Sequence, residues 1–342
     1  MPIQIQEKIS LHLLNTFKID GVSRYFAEIK SREDLSEIAE FIDSKDSDFF
    51  ILGGGSNVLI SDKGFDGIIL KISLDGITWN DLGERVEVVA EAGVSWDSLV
   101  GETVKKNLYG LENLSGIPGT VGAAPIQNIG AYGSEVKNTL EWVEIFDLSK
   151  KQFKVLDLKN CKLSYRDSVF KKPEAKRWIV TKVAFLLNKK GQLNLSYKDL
   201  KNRFGSEISP DLDEVRKAVL EIRSRKFPDL KEYGTAGSFF KNPIISKEKL
   251  GELLKEFPEM THFSAGEDLF KISTAWILDN VLGLKGKSFG QVELFRNQPL
   301  VVVNLGRATA TEIKKVTDEI IFQVKEKLGI TLEREVTLLG EF

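Results

Sequence analysis

The chain has 342 residues, of which 42% are hydrophobic and 29% are charged. A chain of this length and composition folds as a globular protein and is too long for one small core, so two or three domains are expected. Forty-eight basic residues against fifty acidic ones give a net charge of −2. This balance argues against nucleic acid or an anionic membrane surface as the partner, and any anionic ligand must be bound by a local cluster.

The cysteine and histidine counts exclude several kinds of site. The single cysteine, Cys161, cannot form an intramolecular disulfide and fits a reducing compartment. With only His12 and His262 present, neither a His-rich zinc site nor a Ser-His-Asp triad is expected. The N-terminus lacks the apolar core of a signal peptide, and no apolar run approaches the ~20 residues that span a bilayer. We therefore expect a cytoplasmic protein without a membrane partner, whose chemistry comes from a cofactor.

Capping residues and hydrophobic periodicity predict the order of the helices and strands. Ser31 and Asp34 form a capping-box pattern before an apolar stripe, Ser95 is predicted to cap a second helix, and Gly329 ends the last one. In chain order, the predicted elements are a helix over 31–45, strands over 49–52, 68–72 and 85–92, a helix over 95–106, strands over 140–146 and 178–187, helices over 213–225, 246–257 and 273–282, a strand over 300–304, and a helix over 311–328.

Two glycine-rich segments interrupt this order, at residues 53–60 and 115–125. Glycine lets backbone N–H groups crowd together and point at an anion, which favours a pyrophosphate site. For one such segment alone, ordinary turns explain the glycines about as well. Neither segment has the glycine spacing of a Rossmann fingerprint, and residues 286–288 lack the earlier glycine of a Walker A loop. A P-loop NTPase is therefore excluded.

Five segments that span nearly the full chain occur in a recognisable order. They are residues 53–60, residues 110–133, Ser-Tyr-Arg-Asp-Ser at 164–168, Gly-Ser-Phe-Phe-Lys-Asn-Pro at 237–243, and Leu-Glu-Arg-Glu-Val at 332–336. Together they resemble the UDP-N-acetylenolpyruvoylglucosamine reductase family, and residues 195–200 resemble the tyrosine loop of its first type.

The resemblance implies an α+β fold, with a two-lobed FAD-binding module of the vanillyl-alcohol-oxidase type plus a third α/β substrate-binding domain. The first FAD-binding lobe would be residues 1–74, with the strand 336–342 returning to it. The second lobe would be residues 75–226, including the tyrosine loop near Tyr197, and residues 227–335 would bind substrate.

The resemblance also implies the activity. It is the NADPH-dependent reduction of UDP-N-acetylglucosamine enolpyruvate to UDP-N-acetylmuramate through FAD, in peptidoglycan precursor synthesis. NADPH as the hydride donor is implied by the resemblance alone. The FAD should be noncovalent, because no histidine or cysteine lies near the glycine-rich segments in the sequence. The residues implied to hold FAD are Gly53, Gly54, Gly55, Ser56, Asn57, Ser115, Gly116, Gly119, Thr120 and Gly122.

The same resemblance implies three catalytic residues. Ser238 would donate the proton, and Arg166 and a neutral Glu335 would flank the substrate carboxylate. Each has a plainer interpretation from sequence alone. Ser238 fits a Gly-Ser turn, Arg166 fits an ion pair with Asp167, and Glu335 fits a strand carboxylate paired with Arg334 or a lysine.

Tyr197, Lys226 and Asn242 match the family's positions for binding the UDP diphosphate. Lys226 also fits an ordinary solvated helix C-terminus, where cations are favoured. Gln291 and Glu293 either contact the sugar or form the polar face of a strand. Two other functions stay open at this point: a different flavin oxidoreductase of the same fold, and a noncatalytic regulator that binds a nucleotide sugar.

Overall fold

Nineteen strands and eight helices form the described part of the computed structural model, residues 3–205 and 209–342. The strands are β1 Ile5–Ser10, β2 Val22–Ile29, β3 Phe49–Leu52, β4 Val58–Ile60, β5 Phe65–Ile72, β6 Ile77–Asp81, β7 Arg85–Glu91, β8 Gly130–Ala131, β9 Ser134–Glu135, β10 Leu140–Asp147, β11 Gln152–Asp157, β12 Trp178–Asn188, β13 Ile244–Ser246, β14 His262–Gly266, β15 Leu269–Ile272, β16 Ser288–Phe289, β17 Val292–Leu294, β18 Val302–Asn304 and β19 Thr337–Leu339. The helices are α1 Arg32–Lys45, α2 Trp96–Lys105, α3 Leu158–Cys161, α4 Lys198–Phe204, α5 Leu212–Lys226, α6 Lys247–Glu256, α7 Thr274–Trp276 and α8 Ala310–Leu328.

The chain divides into two structural units. The first unit contains the described residues up to Ile9 together with Ser23–Gly54 and Asp66–Arg223, and the second contains Ser10–Val22, Gly55–Phe65 and Ser224–Phe342. The boundary therefore falls inside the first glycine-rich segment, between Gly54 and Gly55. The three-part division expected from the sequence stays a prediction.

The first unit is built on two sheets. A four-stranded sheet has the order β1-β2-β5-β3, with β3 parallel to β5. A five-stranded antiparallel sheet has the order β11-β10-β12-β7-β6. Leu35, Ile38 and Ile42 of α1 share one buried core with Ile68 and Leu70 of β5. This amphipathic packing supplies most of the stability that a helix cannot gain from propensity alone.

The second unit has smaller sheets and one long helix. Its sheets have the orders β13-β15-β14 and β16-β17-β18, and the strand near the chain end, β19, pairs in parallel with β4. Ile313, Ile320 and Val324 of α8 lie in a core shared with Phe239 and Phe240. Both phenylalanines are buried, so the segment that follows Gly237 is anchored by apolar side chains.

Most predicted elements are present, and local capping explains the agreement at α1 and α8. Ser31 and Asp34 form the predicted capping box, worth about 1 kcal/mol, and Gly329 closes α8 in the left-handed conformation. Ser95 occupies the N-cap position of α2 as predicted, but its side chain makes no capping hydrogen bond. The predicted helix 273–282 is α7 followed by a π-helical turn over Ile277–Val281.

Among the described residues, none of the helices combines the length and the apolar character needed to cross a membrane.

Candidate active site

The two glycine-rich segments meet in the first unit. A Cβ atom at Gly53 would lie 2.7 Å from Thr120 Oγ1, and one at Gly54 would lie 2.8 Å from the Cα atom of Gly119. Real Cβ atoms do not approach so closely, so only glycine at residue 54 allows its backbone to touch that of Gly119. Closely packed glycine backbones without side chains are typical of sites that bind a dinucleotide pyrophosphate.

Other residues of the second glycine-rich segment stabilise its conformation. Ser115 is fully buried, and its hydroxyl donates a hydrogen bond of 2.6 Å to the carbonyl of Glu112. The Gly122 N–H donates to the Ala92 carbonyl at 2.9 Å, and a Cβ at Gly122 would lie 2.6 Å from Ala92 Cβ. Ser115 and Gly122 therefore shape the segment, while Gly119 lies where it meets Gly54.

Gly55, Ser56 and Asn57 lie in the second unit. Gly55 has φ +64, and a Cβ there would lie 2.0 Å from the Leu14 carbonyl oxygen. Ser56 and Asn57 are half-buried. The predicted five-residue flavin motif is thus shared between the two units, which its sequence does not indicate.

Arg166 lies in a tight turn of the first unit, at φ +53. The backbones of Ser164 and Asp167 exchange hydrogen bonds of 3.0 and 3.3 Å across this turn. The Arg166 guanidinium donates to the Gly130 carbonyl at 3.1 Å. Asp167 forms an ion pair of 2.6 Å with Lys172. The arginine is half-buried and rests on the β8–β9 hairpin.

Asn128 fixes this arginine-bearing turn, a role that sequence reasoning missed. It is fully buried, and its Nδ2 donates to the Ser164 carbonyl and to Glu135 Oε2, each at 3.0 Å. Its Oδ1 accepts from the Lys137 N–H at 3.0 Å. Burial opposes the charge of Glu135, but the hydrogen bonds from Lys137 and Asn128 outweigh it and lower the pKa of Glu135. A buried asparagine whose amide makes all these bonds fixes the turn that carries Arg166.

Tyr197 packs edge-on against Tyr132 in the first unit, with ring centroids 5.3 Å apart at 82°. Tyr132 is buried among side chains of α4 and α5, whereas Tyr197 is 40% exposed at the N-terminus of α4. Burial raises the pKa of Tyr132 to about 12, although the nearby Arg223 opposes the shift. The exposed Tyr197 ring thus packs against the buried Tyr132 ring.

Ser238 and Glu335 belong to two adjacent, hydrogen-bonded extended segments of the second unit. The Glu335 N–H donates to the Phe239 carbonyl at 2.8 Å, and the Phe239 N–H donates to the Leu300 carbonyl at 2.8 Å. The segment after Gly237 is therefore an extended chain between residues 300–301 and 333–335. Ser238 and Glu335 are both half-buried.

Asn57 holds the backbone on both sides of Glu335. Its Nδ2 donates to the Glu335 carbonyl at 3.1 Å, and its own carbonyl accepts from the Thr337 N–H at 3.1 Å. The neighbouring charges are otherwise engaged: Lys241 pairs with Glu333 at 2.8 Å, and Arg334 pairs with Asp318. A motif residue predicted for flavin binding thus fixes the backbone around the predicted catalytic Glu335.

Asn242 and Lys226 are half-buried residues of the second unit. The Asn242 Oδ1 accepts from the Thr274 N–H at 2.9 Å, at the start of α7. Lys226 is the last residue of α5. Glu293 lies in β17 and accepts from the Ser288 hydroxyl at 3.3 Å, as a polar residue on a strand can. All predicted site residues fall within the described part of the chain.

Sequence reasoning missed a charged cluster at Gly116. Asp97 Oδ1 accepts from the Gly116 N–H at 2.6 Å, and Arg223 Nε donates to the Gly116 carbonyl at 2.9 Å. Arg216 binds both oxygens of Asp97, at 2.7 and 2.9 Å. Lys71 was also missed, and its amine binds the Gly53 carbonyl. No local pattern marks these residues, since their partners are distant in sequence.

Comparison with protein families identifies the class of protein. A family model described as an FAD binding domain matches residues 23–153, and the close approach of the Gly54 and Gly119 backbones suits that cofactor. A second model, described as the C-terminal domain of UDP-N-acetylenolpyruvoylglucosamine reductase, matches residues 229–339. The chain is an FAD-binding oxidoreductase.

Full-length relatives then identify the family. A UDP-N-acetylenolpyruvoylglucosamine reductase of Flavobacterium johnsoniae is 39% identical over 98% of this chain and 100% of its own. One of Bdellovibrio bacteriovorus is 40% identical over 97% of this chain and 99% of its own. The chain belongs to the UDP-N-acetylenolpyruvoylglucosamine reductase family.

A solved structure shares the fold. The crystal structure of the UDP-N-acetylenolpyruvylglucosamine reductase from Thermus caldophilus superposes with a TM-score of 0.70, over 99% of this chain and 100% of that one, at 23% identity. The family resemblance and the α+β fold class that the sequence predicted are confirmed.

Proposed function

We propose that the protein reduces UDP-N-acetylglucosamine enolpyruvate to UDP-N-acetylmuramate with NADPH, as a step in peptidoglycan precursor synthesis. The observation that carries this proposal is that the extended segment containing Ser238 is hydrogen-bonded, through Phe239, to Glu335 on the adjacent extended segment of the second unit. Reduction of an alkene conjugated to a carboxylate needs a proton donor for one carbon and stabilisation of the charge that develops on the carboxylate.

Ser238 is the proposed proton donor. Phe239 and Phe240 are 0% and 1% exposed and fix the segment that carries it. Glu335 is proposed to act in its neutral form, because a second anion beside the developing enolate would repel it. Asn57 fixes the backbone of Glu335 through its hydrogen bond to the Glu335 carbonyl.

Arg166 is the proposed binding group for the substrate carboxylate. A planar guanidinium with parallel N–H donors matches a carboxylate better than an ammonium does. The hydrogen bond to Gly130 and the fixed turn hold this side chain in place before substrate binds, so little entropy is lost on binding.

Tyr197, Lys226 and Asn242 are the proposed diphosphate ligands. In Asn242, the Oδ1 already accepts from the Thr274 N–H, which orients the amide group as a donor for a ligand. Lys226 supplies a point charge at the end of α5, and the exposed ring of Tyr197 presents a hydroxyl donor.

Gly53, Gly54, Gly119 and Thr120 are proposed to hold the FAD pyrophosphate through their backbones. When bound, FAD supplies hydride transfer between NADPH and substrate, and the protein supplies position and electrostatics.

The first test measures anaerobic NADPH oxidation by the purified flavoprotein with and without UDP-N-acetylglucosamine enolpyruvate. Substrate-dependent oxidation with formation of the lactyl ether supports the proposal. A protein that binds FAD and oxidises NADPH but ignores this sugar would be a flavin oxidoreductase for another substrate. A protein that binds the sugar without any turnover would be a regulator.

The second test replaces the proton donor. Ser238→Ala should leave flavin reduction by NADPH unchanged and slow reoxidation by the enolpyruvyl sugar by about 10²- to 10⁴-fold, the usual effect of a general acid. Ser44→Ala is the matched control, because that exposed hydroxyl bonds only to the neighbouring Phe41 carbonyl in α1. Fast reoxidation of the reduced Ser238 variant would remove the serine from this role.

A further inference from the structure

Gly116 is fixed at both of its polar backbone groups by charged side chains. Its N–H donates to Asp97 at 2.6 Å, and its carbonyl accepts from Arg223 at 2.9 Å. Its φ is +71, and a Cβ there would lie 2.8 Å from Leu220 Cδ2. Two charge-assisted bonds and a tight steric fit therefore determine one conformation at this glycine.

The start of α2 holds the segment at three points. The Trp96 indole donates to the Leu114 carbonyl at 2.9 Å, and the Trp96 backbone N–H donates to the Gly119 carbonyl at 3.1 Å. Asp97, the next residue, binds Gly116 between them. Two consecutive residues of one helix thus fix the backbone that meets Gly54.

Asp97 is itself held by α5. Arg216 reaches both carboxylate oxygens in a bidentate pair, and its side chain is only 16% exposed. Burial would raise the pKa of Asp97, but the hydrogen bonds from Arg216 and Gly116 outweigh it and hold the pKa below its usual range. Arg216 and Arg223 are two helical turns apart and therefore lie on the same face of α5.

We propose that Asp97 and Arg216 are positioning residues that set the affinity for FAD by fixing the conformation of residues 114–119. Neither side chain needs to touch the flavin, because their effect passes through the Gly116 backbone. The inference rests only on the flavin-binding part of the proposed function and is independent of the substrate.

The test compares two carboxylate-to-amide substitutions in the first unit. Asp97→Asn removes the charge that binds Arg216 and Gly116. Glu144→Gln is the matched control, because Glu144 also forms a bidentate pair, with Arg32 at 2.6 and 3.3 Å, and also accepts a hydrogen bond from the Thr181 hydroxyl. For each apoprotein, the FAD dissociation constant is measured by quenching of flavin fluorescence, and the unfolding temperature is measured without flavin.

We expect Asp97→Asn to raise the FAD dissociation constant at least tenfold. Glu144→Gln should lower the unfolding temperature of the apoprotein to a similar extent while changing the dissociation constant less than twofold. Equal dissociation constants for wild type and Asp97→Asn, or an equal loss in both variants, would overturn the proposal.

Arg216→Lys gives an independent measurement and carries the test if Asp97→Asn does not fold. Lysine keeps the charge but cannot form the two parallel bonds, so the dissociation constant should rise by a smaller factor than for Asp97→Asn. An unchanged value would contradict the positioning role. Protein that binds FAD as expected but does not reduce the enolpyruvyl sugar would refute the proposed function and leave this inference intact.

Discussion

Replacing Gly54 by alanine should weaken FAD binding through steric conflict alone. The new Cβ would lie 2.8 Å from the Cα atom of Gly119, so the two backbones must separate by about 0.6 Å to reach the 3.4 Å at which ordinary contacts begin. Overpacking of this kind costs ~1–3 kcal/mol. If the flavin-binding conformation bears that strain, the FAD dissociation constant rises about 5- to 150-fold.

The assay is titration of the apoprotein with FAD, alongside its thermal unfolding. Gly251→Ala is the matched control, since Gly251 lies inside α6 with no atom within 4 Å of the added Cβ. Alanine there should stabilise the protein by ~0.8–1 kcal/mol, because it is the better helix former. A Gly54→Ala protein that binds FAD as tightly as wild type would refute the idea that close approach of these two backbones is needed for flavin binding.

Three further predictions concern stability and reactivity. Burial raises the pKa of the Cys161 thiol to about 12, so a thiol reagent should label it only on unfolding, and rapid stoichiometric labelling of native protein would contradict this. Burial also raises the pKa of Glu112, so the folded protein holds the carboxyl proton to higher pH than the unfolded chain does, and the free energy of unfolding falls as pH rises through that pKa. Glu112→Gln should have a higher free energy of unfolding than wild type at pH 7 and should lose this pH dependence, both measured by urea unfolding. Thr309→Ala should lower the free energy of unfolding by about 1 kcal/mol in the same assay, because it removes a capping box. Ser95→Ala removes no capping bond and should leave that free energy nearly unchanged. Equal losses in the two variants would contradict the assignment of a side-chain cap to Thr309 and not to Ser95.

Elements with strong local signals were predictable from the sequence. The capping box at Ser31 and the closing Gly329 involve residues within a few positions of each other, so their pattern is visible in a short window. Ser95 shows the limit of this reasoning. A serine occupies the N-cap position of α2, but its side chain accepts no hydrogen bond from the first turn of the helix.

The candidate site was predictable only where it coincides with family motifs. Ser238 and Glu335 belong to such motifs, and the structure places their segments side by side. Asp97 and Arg216 are 119 positions apart, and their pairing depends on how α2 and α5 pack. Likewise, the grouping of residues 55–65 with the C-terminal part follows from the pairing of β4 with β19, which neither strand's sequence specifies.

The pairing of β4 with β19 also sets the order of events when the chain is made. Ser61, just after β4, bonds to Glu341, 280 residues further along. At about 5–20 residues per second, the ribosome needs roughly 15 to 55 seconds to make that stretch. During this time β4, whose three residues are all buried in the finished fold, has no strand partner. A newly made first unit is therefore ready to fold well before the second. During that interval, we expect chaperones to bind mainly at the exposed Val58–Ile60 strand.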